Sequence, residues 1–466
     1  MYEVLLVGGV LLWLAVAVAY VRSGLASVFH PATYYMFFHG FIFVVRPIIA
    51  YMGNYRAIYR LYQFDPPLAV KSTALLVADL GFLCFMAAVL YVGKVPLVLS
   101  PTRGQKPDGQ RRFQVPLLVT AAILAPLGIY SLRYVLSAAD DETAGMVFDA
   151  ATGATISSTG NGYFFSASDI IGALSVLVAW QFRFRPLALV PFVLYFVARA
   201  SVGGSRWTFV LTSAALALFW LYDQRRRWPS VPVMVGAAAL LVGFTVVGQQ
   251  RNIVKAYLTG GEIRQDLFKD RLLEGMDFAN LEYLEYHTWV VPERTGTWGF
   301  FADNLQVLSE PIPRVLWPSK PIGAPIKMWD LYQYGNPIGI TSSLPGVGWD
   351  QLGYFGVAIW CLMWGGLFGR FYRWFACSGQ TAFNVGLYLL LLPMMIQIFR
   401  DGTLLSALKF PMWYVFTISV WFGITKLAKS RRVRHPGRRR RPMAEAAPVG
   451  RYPARRQSLT GATTTR

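Results

Sequence analysis

Charge is scarce in this chain, and acid is scarcer than base. Only 15% of the 466 residues are Asp, Glu, Lys or Arg, against about a quarter in a soluble globular chain. A soluble enzyme of two or three domains is therefore excluded. Cysteine is nearly missing: Cys84 and Cys361 lie in apolar runs and Cys377 in a short loop. No disulfide framework and no C-x-x-C zinc spacing is implied. No D-x-D pair occurs in the sequence, and no cofactor or metal site is expected. The first apolar run, 4–21, has no basic stretch ahead of it and is about as long as a spanning helix, so a cleaved signal peptide is not expected.

What the chain has in abundance is apolar sequence: 55% hydrophobic, with a mean hydropathy of +0.41. An apolar run of about 20 residues crosses a bilayer as a helix, because its backbone polar groups must be satisfied internally. Eleven such runs can be drawn, over 3–21, 32–52, 73–93, 115–136, 163–182, 186–201, 206–222, 231–249, 352–370, 382–399 and 408–427. The expected fold is an all-α polytopic membrane protein. It divides into a first bundle (1–249), an extracytoplasmic loop subdomain (250–349), a second membrane segment (350–427) and a basic cytoplasmic tail (428–466). The sixth and seventh runs, parted only by Val202 to Ser205, could be two spans or one broken pair.

The formal net charge of +20 resolves along the chain. From Lys426 onward there are 13 Lys or Arg against a single acid, Glu445, a composition that stays unfolded and touches anionic lipid headgroups. Short loops carrying Lys94, Arg103, Arg183, Arg225 and Arg370 alternate with the tail on one side, which sets the N-terminus outside and the C-terminus in the cytoplasm. The 250–349 segment falls outside. With 11 acids and 9 Lys or Arg it is nearly balanced, which is not a nucleic-acid surface. Roughly helical apolar spacing over Glu262 to His287 predicts an amphipathic helix near the outer face.

Ionisable residues at membrane depth are costly and need a reason. Arg46 and Asp79, on adjacent runs, are expected to pair with each other, and Asp169 to snorkel to the outer interface. Arg199 and Arg206 flank the Gly203-Gly204 pair, where backbone N–H groups and guanidinium groups suit a lipid-linked diphosphate. Arg251 follows directly on a span. The run Ile312-Pro313-Arg314-Val315-Leu316-Trp317-Pro318-Ser319-Lys320-Pro321 combines a proline-fixed backbone with two cations and the Trp317 face. A base for an acceptor hydroxyl would come from Asp277, Glu282, Glu285, His287, Asp303 or Asp350, of which Asp277, His287 and Asp350 are the favoured candidates. Gln224 to Trp228 spells the Q-x-x-R-W of cytosolic polysaccharide synthases, but no cytoplasmic loop is large enough for their catalytic domain.

The Ile312–Pro321 run, followed by the Gly-rich stretch Thr341–Gly356 leading into a span, resembles bacterial oligosaccharide repeat-unit (Wzy-type O-antigen) polymerases. The Gly-Ser-Arg segment at 203–206 fits the same family. The resemblance implies a metal-independent glycosyltransferase of the GT-C type. It would join polyprenyl-diphosphate-linked oligosaccharides at the outer face of the bacterial cytoplasmic membrane, beside a chain-length regulator and a flippase. Arg199, Arg206, Arg251, Arg314 and Lys320 would hold diphosphates, with Trp317 against a sugar. An O-antigen-ligase-like transferase and a transporter or flippase of lipid-linked sugars are the alternatives.

Overall fold

The computed structural model describes residues 1–99, 107–138, 146–149, 154–157, 166–201, 207–231, 234, 273–275, 278–312, 316, 317, 319–321, 323–335 and 341–434. Residues Met1–Thr425 form one compact unit and Lys426–Arg466 a second.

The chain is a helical membrane protein. Its helices are α1 (Tyr2–Arg22), α2 (Pro31–His39) running through a π-helical turn (Gly40–Val45) into α3 (Arg46–Gly53), α4 (Ala57–Leu61), α5 (Leu68–Val92), α6 (Pro107–Ala138), α7 (Asp169–Gln181), α8 (Pro186–Ser201), α9 (Trp207–Asp223), α10 (Asn280–Val290), α11 (Gln306–Ser309), α12 (Ser343–Cys377), α13 (Ala382–Asp401), α14 (Leu404–Lys409) and α15 (Met412–Arg434). Among the described residues, seven stretches are long and apolar enough to cross a membrane: Tyr2–Arg22, Pro31–Gly53, Leu68–Val92, Arg112–Tyr134, Ser343–Cys377, Ala382–Asp401 and Leu404–Ser430. Three expected spans form shorter apolar helices, Asp169–Gln181, Pro186–Arg199 and Val210–Asp223. The run 231–249 lies almost wholly outside the described residues. Among the described residues the all-helical expectation is broken at one place, an antiparallel hairpin of β1 (Met146–Asp149) with β2 (Ala154–Ser157).

Local chemistry sets the helix ends. Glu3 in the first turn and Arg22 in the last complement the α1 dipole. His30 Nδ1 accepts the N–H of Ala32 while Pro31 occupies the first turn of α2. Thr381 and Thr403 cap α13 and α14 through the N–H groups of Asn384 and Ser406. Gly402 ends α13 at φ +75°, and a Cβ there would lie 2.1 Å from Ser343 O, so only glycine fits.

The core is centred on the pairing of α5 with α12. Glycines on α12 let the backbones approach, as in small-xxx-small membrane packing: a Cβ on Gly365 would meet Phe85 O at 2.5 Å, and one on Gly369 would meet Val89 O at 3.0 Å. In return, Gly81 of α5 receives Pro345. Buried aromatic rings fill the space between these helices and α2 and α13, among them Tyr35, Phe82, Phe85 and Phe399. Within α12 the helix breaks at Leu352 (φ −157°) and Gly353 (φ +59°), where the Trp298 ring occupies the space a side chain on Gly353 would need. The break turns the first two helical turns, Ser343 to Gln351, into the protein interior, where every one of them is buried.

Candidate functional site

The segment around α10 carries more buried polar groups than any amphipathic surface helix could. The expected interfacial helix over 262–287 is corrected in its described part: α10 buries Asn280, Glu282, Glu285, His287 and Thr288 together with Leu281, Leu284 and Val290. Polar groups on every side of a helix can be buried only if each finds a partner. Those partners come from α3, α4 and α12, and for Asn280 from Thr341 and the Arg400 carbonyl of α13.

On one side His287, 1% exposed, meets Asp350, 5% exposed, from the inturned start of α12. Nδ1 and Oδ1 are 2.7 Å apart across 63 residues of sequence. A carboxylate on Nδ1 fixes the proton there and leaves the Nε2 lone pair as the basic site. Nε2 is buried and has no hydrogen-bond partner among the described residues. The Tyr283 ring stands edge-on to the imidazole at 4.3 Å between centroids. The loop 298–303 is tied to the same helix start: Gly299 N donates to Asp350 O at 2.8 Å, Phe300 N to Gln351 O at 3.2 Å, and Phe301 N to Gln351 Oε1. Gln351 Nε2 in turn donates to Asp303 Oδ2 at 3.4 Å. Burial and the neighbouring Asp350 push the Asp303 carboxyl above its ordinary pKa. Trp349 Nε1 donates to Val291 O at 2.9 Å, which joins the inturned helix to the end of α10.

On the other side lies a second buried network. Arg46, fully buried, donates through Nη1 to Glu282 Oε2 at 2.5 Å and through Nε to Leu273 O at 2.9 Å. Tyr59 of α4 donates to Glu285 Oε2 at 2.6 Å. Burial, and then the charge of Glu282 one turn away, raise the Glu285 pKa to about 8, so it holds a proton at neutral pH. Burial likewise pushes the Tyr59 hydroxyl far up.

The expected Arg46–Asp79 pair is therefore corrected: Arg46 belongs to Glu282, and Asp79 approaches His39 at 3.5 Å. Adjacency of two spans does not fix which faces meet, and Arg46 points to α10. Asp169 is also corrected. It is 7% exposed and lies in the electrostatic reach of Arg199, itself 8% exposed, instead of snorkelling to water.

Of the favoured site residues, the structure brings together His287 and Asp350. Arg199 stands beside Asp169. Lys320 Nζ donates to Glu310 O at 2.9 Å and lies 3.5 Å from its carboxylate. Trp317 is half-buried and donates to Ser319 Oγ at 3.1 Å. Asp277, Arg206, Arg251 and Arg314 lie outside the described residues. Among the described residues, no three His, Cys, Asp or Glu side chains come close enough to hold a metal ion. Sequence reasoning named Glu282, Glu285 and Asp303 as bases but missed that Arg46, Tyr59 and Gln351 hold them. The signal was the spacing Glu282, Glu285, His287, three ionisable groups within two turns of an otherwise apolar and aromatic segment.

Comparison with protein-family models, with curated proteins and with solved structures yields no match to this chain.

Proposed function

We propose that this chain is a membrane glycosyltransferase that polymerises polyprenyl-diphosphate-linked oligosaccharide repeat units at the outer face of the bacterial cytoplasmic membrane. The observation that carries the reading is the buried His287–Asp350 pair, whose Nε2 has no partner among the described residues. A positioned imidazole with a carboxylate on its far nitrogen is suited to take the proton of an acceptor hydroxyl as that oxygen attacks the anomeric carbon. The electron pair of the breaking C–O bond leaves on the lipid diphosphate. Arg206, Arg251 and Arg314 are the candidates to neutralise that leaving group, with Arg199 and Lys320 nearby in role and Trp317 against a sugar face. Arg199 and Lys320 already have acidic neighbours, so their share in binding diphosphate requires those contacts to open.

In a host deleted for this gene, a complementing copy carrying His287→Gln or Asp350→Asn is expected to lower polymer formation at least 100-fold, while single lipid-linked repeats build up on the outer leaflet. A loss of this size is typical of a missing general base. Repeats trapped on the inner leaflet would instead identify a flippase. Unchanged polymer with both variants present in the membrane would overturn the assignment of the base.

A further inference from the structure

A recess of about 460 Å³ opens in the loop between α3 and α5, away from the His287–Asp350 pair. This lies within the range of small-ligand pockets, about 300–1,000 Å³. It is lined by Tyr59, Phe64, Asn54, Gln63, Arg56, Arg60 and Asp65; the Lys71 ammonium lies over the Tyr59 ring at 4.0 Å, and Arg56 Nε donates to Asn54 Oδ1 at 3.1 Å. Asn54 and Gln63 both sit in the left-handed region, at φ 48° and 54°. For glutamine this conformation is uncommon and strained, and such strain clusters at binding sites.

The recess is held in place from below. Glu274 Oε1 accepts the N–H groups of Arg56 and Ala57 at 3.0 and 2.9 Å. The Phe64 ring, 4% exposed, packs against Tyr286 and Trp289 at 5.3 and 6.4 Å. Tyr59 is bonded to Glu285, so both rings of the recess rest on the helix that carries His287. At the rim, Asp65 is the acid, bracketed by Arg56 at 2.9 Å and Lys71 at 3.5 Å. Arg60 is a third cation, and its guanidinium, like the Gln63 amide, makes no hydrogen bond or ion pair among the described residues. Positive charge is in excess there, since Glu274 is turned onto backbone N–H groups.

We infer that this recess binds a saccharide carrying an acidic group, a carboxylate or a phosphate ester on the sugar. The partly exposed Tyr59 borders the apolar side of a pyranose, the Gln63 amide takes its hydroxyls, and the free Arg60 guanidinium takes the anion bidentately. The inference rests on the reading of this chain as an enzyme of oligosaccharides and adds a holding site to it. The recess is tied to α10 through Tyr59 on Glu285 and Phe64 on Tyr286.

The full-length protein in detergent micelles can be titrated with four probes, followed by calorimetry. They are a glucuronate–N-acetylglucosamine disaccharide, N-acetylglucosamine 1-phosphate, the uncharged chitobiose disaccharide, and inorganic phosphate. Binding of at least one charged sugar, at least tenfold tighter than chitobiose and phosphate, is expected. Which charged sugar binds better identifies the source of the anion. Arg60→Gln, an exposed and structurally neutral change, is expected to weaken that binding tenfold or more, and Gln63→Ala severalfold. His287→Gln is expected to leave it unchanged. The inference is overturned if no probe binds, if chitobiose or phosphate binds as well as the charged sugars, or if Arg60→Gln has no effect. Binding that depends on Arg60 in a protein whose His287→Gln variant still makes polymer would keep the recess and discard the proposed base. Absence of binding in a protein whose polymer requires His287 would do the reverse.

Discussion

Replacing Arg46 with glutamine leaves Glu282, 3% exposed, without its counter-ion and Leu273 O without its donor. Breaking one side of a buried ion pair costs about 3–5 kcal/mol, because the surviving charge stays buried and unmatched. Glu282 has one escape, to take up a proton. For a carboxyl with an ordinary pKa of about 4.3, this costs about 3.7 kcal/mol at pH 7 and about 1 kcal/mol at pH 5. The lost bond to Leu273 O adds about 1 kcal/mol at either pH. Arg46→Gln should therefore destabilise by about 5 kcal/mol at pH 7 and about 2 kcal/mol at pH 5. Adding Glu282→Gln removes the stranded charge and should recover about half of the loss at pH 7. Unfolding in detergent, followed by tryptophan fluorescence at the two pH values, measures all three proteins. A cost below about 1 kcal/mol at pH 7, or one that does not shrink toward pH 5, would refute the reasoning.

Two further outcomes are expected from the same measurements. The pKa of Glu285 in the folded state, about 8, lies above its ordinary 4.5, so the folded protein keeps a proton that the unfolded chain releases. Its contribution is complete below the unfolded value and is lost as the pH climbs from there through about 8. Glu285→Gln should abolish that slope, and a variant as pH-dependent as the parent would contradict the assignment. Gly402→Ala forces a Cβ to within 2.1 Å of Ser343 O at a positive φ. A loss of more than about 2 kcal/mol is expected, and a shift within error would mean that α13 and α12 do not meet there.

The membrane helices were legible in the sequence because the bilayer imposes one requirement, internal satisfaction of the backbone, on every residue of a span. The polar interior was less so. His287 and Asp350 both stood among the candidate bases on composition alone, but nothing local to either indicates that a broken helix carries one to the other. Arg46 was matched to Asp79 because hydropathy orders spans without rotating them about their axes. Asp169 was placed in water for the same reason. Gly353 was read only as part of a Gly-rich stretch. That a tryptophan fills its missing side chain, and that the helix turns inward there, depends on contacts from a loop fifty residues earlier in the chain. The cationic side of the recess at Arg56 and Arg60 has no signature in the sequence, since two arginines in a short loop also serve as ordinary interfacial residues.

The break at Leu352 and Gly353 has a bearing on the order of assembly. The stretch from Ser343 to Gln351 carries an acid, a proline and two glycines, so lipid is a poor host for it by itself. Its supports arrive at different times. Gly81 is made long before it, Trp298 shortly before, and Gly402 only after another span has followed. The packing of the stretch is therefore complete only once the chain as far as Gly402 has been made. A protein truncated before Gly402 would keep Gly81 and Trp298 beside the stretch but lack the backbone that packs on Ser343.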